Sequence, residues 1–249
     1  MPESTLLMHT PGCQRVSPAD LGRMETPEPT KSHYPIPHAE FYGMVEEAVE
    51  ATGFTILNRD LGVAQMGAEL FGIFDLDHNR DDVKGFSVGF RHAHNKTLSA
   101  QVMFGRQLFV CDNRVFSGQQ AETASHKHTV NVMTTMPVRI QDALGRFADW
   151  TEQENERIDR LQAAPLDDRS WHSLVVNAAK RGCMSWAQIR NAENIWHTDE
   201  RYGGPDSKTL WRAENSINAT WQMGRANNLS TPLKRGQRLT TLLDTWSNN

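Results

Sequence analysis

The sequence predicts an α+β protein, with an antiparallel, hairpin-rich sheet in the first half and helices in the second. Three observations predict it. Strand-length apolar runs broken by Gly, Asn and Asp crowd residues 54 to 118, as in "FSVGFRHAH" and "LSAQVMFGRQLFVCDN". After Pro137 the apolar residues move to helical spacing: Ile140, Leu144, Phe147, Ile158 and Leu161 form a stripe, with the charged run "TEQENERIDR" opposite. All seven tryptophans, from Trp150 to Trp246, fall in this second half, where a tryptophan at helical spacing serves packing.

The elements follow in order. The first 37 residues hold seven of the eleven prolines and no hydrophobic periodicity, so residues 1–36 read as an extended Pro-rich arm. In "HAEFYGMVEEAVEATG", Phe41, Met44, Val45, Ala48 and Val49 recur at helical spacing and Gly53 supplies the stop. "FTILNRDLGVAQMGAELFGIFDLD" reads as strands broken by turn residues, and Phe86, Val88 and Phe90 share one face of the next strand. Lys96 marks the following hairpin tip, and Gly105–Arg106 is expected to form the tip after that. Thr134 or Thr135 caps a helix after Pro137 that Pro165 closes. Further helices are expected over Trp171–Lys180, Ser185–His197 (Ser185 and Gln188 are spaced as a capping box), Asp206–Met223 and "LTTLLDTW". The organisation is thus an arm (1–36), an α+β sheet region (37–136) and a helical region (137–249) packed on it, one continuous globular unit from residue 37.

The totals narrow the function classes. The chain has 249 residues, a net charge of −4 and a mean hydropathy of −0.58. It holds no apolar run of the ~18 residues a membrane helix needs, and its N-terminus lacks a basic region followed by an apolar core. Three distant cysteines, Cys13, Cys111 and Cys183, make no disulfide framework and suit a reducing cytoplasm. The charge is segregated. Residues 84 to 141 carry seven basic and two acidic side chains, and the rest carries 19 basic against 28 acidic.

Several chemistries have no motif. GxSxG, GxxxxGK[ST], GxGxxG, HExxH and the HxE…PCxxC deaminase pattern are all missing, and Cys111 within "LFVCDN" reads as a small buried hydrophobe. A metal site is the sharper enzyme idea. His92 and His94 project from one face of a strand, His126 and His128 would do so if extended, and Asp75, Asp77 and Asp112 offer carboxylates. The ligands of such a site would be His94, His128 and Asp112. Ten histidines make such pairs expected by chance, so the reading is no metal and no cofactor. The electrostatic alternative uses Arg91, Lys96, Arg106, Arg114 and Lys127 at strand ends and turns to follow a phosphate backbone, with Phe104 and Phe116 stacking on bases.

"GFRHAHNKTLSAQVMFGRQLFVCDNRVFSG", followed by "KHT", resembles the phage/plasmid-like protein family, a domain of unknown function numbered 932. That family's pattern is a Gly-x-Arg-Asn-Ser-His-Asp-Lys-Ser strand and turn, a Gly-x-x-Val-Phe-Val-Cys-Asp-Asn strand, Phe-Ser-Gly, then Lys-His-Thr. Arg91, His94, Lys96, Gly105, Phe109, Cys111, Asp112, Asn113, Phe116, Gly118, Lys127 and His128 occupy the matching places. "TLWRAENSINATWQ" resembles its late helix, so the likeness spans residues 35 to 222. Where the family has Asn-Ser this chain has His92-Ala93, and Asn95 stands for its Asp. His92 and His126 therefore lie off the pattern, and the histidine pairing reads as an accident of this sequence. His94, Asp112, Asn113 and His128 remain as polar residues of the motif.

The resemblance implies a phage or plasmid origin and supplies no activity. The resulting expectation is a non-catalytic, cytoplasmic DNA-metabolism protein that binds single-stranded DNA through a basic hairpin sheet, related to annealing or recombination. It would have no membrane association, and could self-associate or meet a host or phage protein. The rivals are an inhibitor or interaction module for a host protein, marked by an exposed apolar patch, and a metal-dependent nucleic-acid hydrolase.

Overall fold

The computed structural model describes residues 13–77, 86–110, 116–200, 204–222 and 231–247. It forms two compact units, residues 1–150 and 151–249, and one long helix runs through the boundary. Among the described residues no helix is long and apolar enough to cross a membrane.

The first unit contains β1 (Gln14–Arg15), α1 (Pro18–Leu21), α2 (His38–Ala51), β2 (Ile56–Ala64), β3 (Glu69–Leu76), β4 (Phe86–Ala93), β5 (Ala100–Val110), β6 (Phe116–His126) and the start of α3 (Val132–Ala163). Each strand pairs antiparallel with the next, giving a six-stranded meander. On one face, Leu61, Val63, Leu70, Phe74, Phe86, Val88, Phe90, Val102 and Phe104 meet Phe41, Val45 and Val49 of α2 and Met136, Ile140, Leu144 and Phe147 of α3. Ala64, Phe71, Ile73 and Met103 form a second buried cluster. A strand buried on both faces offers no apolar-in, polar-out signal, which is why β3 and β4 read as apolar runs. Gly72 is forced by packing: a Cβ there would lie 2.1 Å from Cζ of Phe90, whose ring fills the space.

Four expectations change. The segment before α2 is anchored: β1 pairs with β2, Leu21 and Ile36 are buried in the core, and the Tyr34 N–H donates to the His128 carbonyl at 2.9 Å. There is no turn at Gly105–Arg106. The strand β5 runs through it, absorbing irregularity as register shifts at Phe104/Gly105 and Arg106/Phe109. The helix α3 begins at Val132 and takes Pro137 into its second turn. Its start is set by the Thr129 and Asn131 carbonyls, which accept from Val132, Thr134 and Thr135, and by burial of Val132 and Met136. The boundary between the compact units falls at 150/151, inside the same helix.

The second unit holds the end of α3, α4 (Asp168–Lys180), a 3-10 turn (Trp186–Gln188), α5 (Ile189–Thr198), α6 (Leu210–Gln222) and α7 (Thr231–Ser247). Gln188 accepts from the Ser185 N–H at 2.8 Å, as the capping-box spacing requires. Trp171 and Trp196 stack at 4.6 Å in its core. The buried Arg212 guanidinium donates to the carbonyls of Ile195, Trp196 and Asp199, so a cation closes the electronegative end of α5. Arg157 is likewise buried and pairs with Glu154, Glu214 and Asp244.

Candidate metal centre

Five histidines from separate parts of the first unit converge at one end of the sheet. His92 lies at the end of β4 and His94 just after it, His128 follows β6, His38 opens α2 and His33 lies in the segment before it. All five are buried, His92 completely. His38, His92 and His94 each offer a ring nitrogen, and the three atoms lie within 4.8 Å of one another. His38 stacks on His94 with ring centroids 4.0 Å apart, and Phe41 meets His92 edge-on at 4.7 Å.

The hydrogen bonds decide which nitrogens are left over. The Nε2–H of His38 donates to the Gly67 carbonyl at 2.8 Å, and that of His94 to the Ile36 carbonyl at 2.8 Å. A neutral imidazole has one proton, so Nδ1 of both rings carries a lone pair. His92 places Nε2 2.8 Å from Nδ1 of His38 and Nδ1 3.3 Å from Nε2 of His128. The His33 Nε2–H donates to the His94 carbonyl at 2.9 Å. The turn that presents Gly67 is held in left-handed backbone at Gln65, Met66 and Gly67 (φ 53°, 56° and 86°). Two non-glycine residues there cost local energy, and the arrangement aims a carbonyl at the His38 ring.

Electrostatics keep the rings neutral. Burial holds His38 and His128 down at about 4, takes His92 well below its ordinary value and lowers His94 as well. Repulsion from neighbouring imidazolium charge adds to burial at each. Neutral rings suit metal ligation, and the outer N–H groups of His38 and His94 are oriented by backbone carbonyls as in metal-ligating histidines. A tetrahedral ion with metal–nitrogen bonds of ~2.1 Å separates its ligand atoms by about 3.4 Å. The His38–His92 contact must therefore open by roughly half an ångström to admit one. Such an ion would also move the His92 proton from Nε2 to Nδ1, where His128 can accept it.

Among the described residues expected to bind nucleic acid, two are closed into the core. Arg106 is fully buried in β5, and Phe104 is fully buried against Phe147. A side chain closed into the core reaches neither phosphate nor base, which corrects their assigned roles. Arg91 is half-buried on β4, where its Nε–H donates to Gln101 at 3.0 Å. Lys96, in a left-handed turn conformation (φ 67°), and Lys127 are exposed, and both sit at the histidine end of the sheet. Phe116 opens β6, while Asp112, Asn113 and Arg114 lie outside the described residues. Of the ligand set His94, His128 and Asp112, the structure brings the two histidines into one cluster.

The centre differs from the sequence expectation at its middle. His92, which reads as an accident of the sequence, contacts His38, His94 and His128, while His126 turns away to the Lys127 carbonyl. His38 carried a usable signal. It precedes Phe41 by three residues and Val45 by seven, so the apolar stripe of α2 carries it into the core. Nothing in the local pattern marks His33. A second group, His172, Glu193 and His197, is largely exposed on α4 and α5.

These features define an α+β protein in which an antiparallel meander, backed by helices, encloses a neutral histidine cluster. The family profile described as a domain of unknown function, DUF932, matches residues 29–243, and the chain belongs to that family. No curated protein and no solved structure gives a match.

Proposed function

We propose that this is a metal-binding protein in which His38, His92 and His94 hold a divalent transition-metal ion of the zinc class. The observation that carries the reading is the convergence of three buried, neutral imidazoles, two with their outer N–H groups tied to backbone carbonyls. All-nitrogen ligation suits Zn²⁺, Co²⁺, Ni²⁺ or Cu²⁺ rather than Mg²⁺ or Ca²⁺. Such an ion would join α2 to β4, and three protein ligands would leave its fourth position to water or another small ligand.

The test is titration of chelator-stripped protein with Co²⁺ and Zn²⁺, read by visible absorption and by metal analysis after gel filtration. One ion per chain is expected, with d–d bands in the range of nitrogen-ligated Co²⁺. His92→Asn, which keeps hydrogen-bonding capacity in that place, should remain folded and lose the ion. Equal metal content in His92→Asn and the parent chain would refute the centre.

Single-stranded DNA binding is a second reading, favoured by one observation: Lys96 and Lys127 are exposed at the same sheet end. In this form it uses Lys96, Lys127 and the half-buried Arg91, without Arg106 or Phe104. A salt titration of oligonucleotide binding tests it: Lys96→Glu with Lys127→Glu should lower both the affinity and the slope of log K against log salt.

A further inference from the structure

The second unit carries a group of cations that the metal reading leaves unused. A cleft of about 690 Å³ is lined by Lys180, Arg181 and Gly182 at the end of α4 and by Gln237, Arg238 and Thr241 of α7. Its described lining holds three cations and no carboxylate. Arg235, one turn before Arg238 on α7, joins them: Arg181, Arg235 and Arg238 all act electrostatically on the buried Cys183 thiol. Among the described residues, none of Lys180, Arg181, Arg235 and Arg238 has a salt-bridge partner within 4.0 Å, although the chain as a whole is acidic.

The contact geometry places Arg238 beside the end of α4. Gly182 has φ +71°, and a Cβ on it would lie 2.8 Å from Nη1 of Arg238. The exposed guanidinium therefore lies over the turn that follows α4. Lys180 and Arg181 complement the electronegative end of α4, which accounts for those two. It does not account for Arg235 and Arg238, which come from another helix and add positive charge to the same place. Among the described residues no carboxylate offsets this gathered charge, and a multivalent anion is the kind of group that would.

We infer that this cleft is a phosphate-binding site, fitted to a ligand that presents two or more phosphate groups to Arg181, Arg238 and Lys180, with Gln237 and Thr241 as neutral partners. Guanidinium forks match phosphate oxygens two at a time, and the volume lies in the range of small-ligand clefts. The site shares no residue with the histidine centre, so either assignment can fail without the other.

The test is inorganic pyrophosphate binding to the full chain at constant ionic strength, by calorimetry and thermal shift. Saturable one-to-one binding is expected, with a higher melting temperature than in equimolar chloride. Arg181→Gln with Arg238→Gln should weaken the affinity by about a hundredfold, roughly tenfold for each charge-assisted contact. The double variant without ligand should remain folded, since the repulsion removed offsets the loss of Arg181 at the end of α4. Competition by a nucleoside triphosphate assigns the phosphates to a free nucleotide, and competition only by a 5′-triphosphorylated oligonucleotide assigns them to a nucleic-acid end. The inference is overturned if pyrophosphate acts no differently from chloride, or if it binds the double variant as tightly as the parent.

Discussion

Acidifying the metal-free protein should protonate imidazoles that the fold keeps neutral. His38 and His128 are held at about 4, against 6.5 for an ordinary histidine, with burial as the main cause. A base with a lowered value binds its proton more readily in the unfolded chain. Its contribution to stability is therefore complete above pH 6.5 and is lost as the pH falls towards 4. At ~1.4 kcal/mol per pH unit, that interval is worth about 3 kcal/mol for each ring. Two rings acting independently would remove roughly 6 kcal/mol by pH 4, comparable with the whole stability of a domain. His92 and His94 shift in the same direction and steepen the loss. The assay is urea unfolding of chelated protein by circular dichroism at pH 7.5, 6.5, 5.5 and 4.5, for the parent and for His128→Asn. The parent should lose stability progressively below 6.5, and the variant should lose it with a slope shallower by up to one proton. A midpoint that stays level from pH 7 to 4.5, or an unchanged slope in the variant, would refute the buried neutral cluster.

Other outcomes follow from single contacts. Zinc at a hundred times its dissociation constant should stabilise the stripped protein by about 2.7 kcal/mol, and His94→Asn should abolish the gain in a thermal shift. Gly72→Ala forces the Phe90 ring out of its place and should cost about 3 kcal/mol by urea unfolding, with part recovered by adding Phe90→Leu. Arg157→Met removes one cation from a buried ion-pair group with Glu154 and Glu214 and should cost roughly 3–5 kcal/mol, more than Arg157→Met combined with Glu214→Gln. Phe104→Ala should destabilise by about 3–5 kcal/mol while leaving oligonucleotide affinity per folded molecule unchanged, since the ring packs on Phe147.

Much of the architecture is legible because local patterns carry it. The stripe from Phe41 to Val49, the glycine at 53, the Ser185–Gln188 spacing and the alternation from Phe86 to Phe90 each mark an element that the structure contains. The errors share a cause. Gly105–Arg106 has the composition of a turn, and Pro137 that of a helix start, yet strand pairing and a buried stripe carry the chain through both. Arginine at a supposed tip implies exposure. Only the neighbouring strands reveal that Arg106 points into the core.

By itself, the sequence determined the α+β class, the division into strands and helices, and the family through one dense block from Gly89 to Gly118 with its Lys-His-Thr sequel. Local spacing suffices for these, since hydrogen-bonded elements repeat every two or 3.6 residues. The tertiary structure alone decided what the histidines do. His33, His38, His92, His94 and His128 are up to 95 positions apart, and meander pairing brings them together. No local period records a meeting between chain segments so distant. The same burial that assembles the cluster strips its water, holds it neutral and sets the Nδ1 lone pair of His38 against His92.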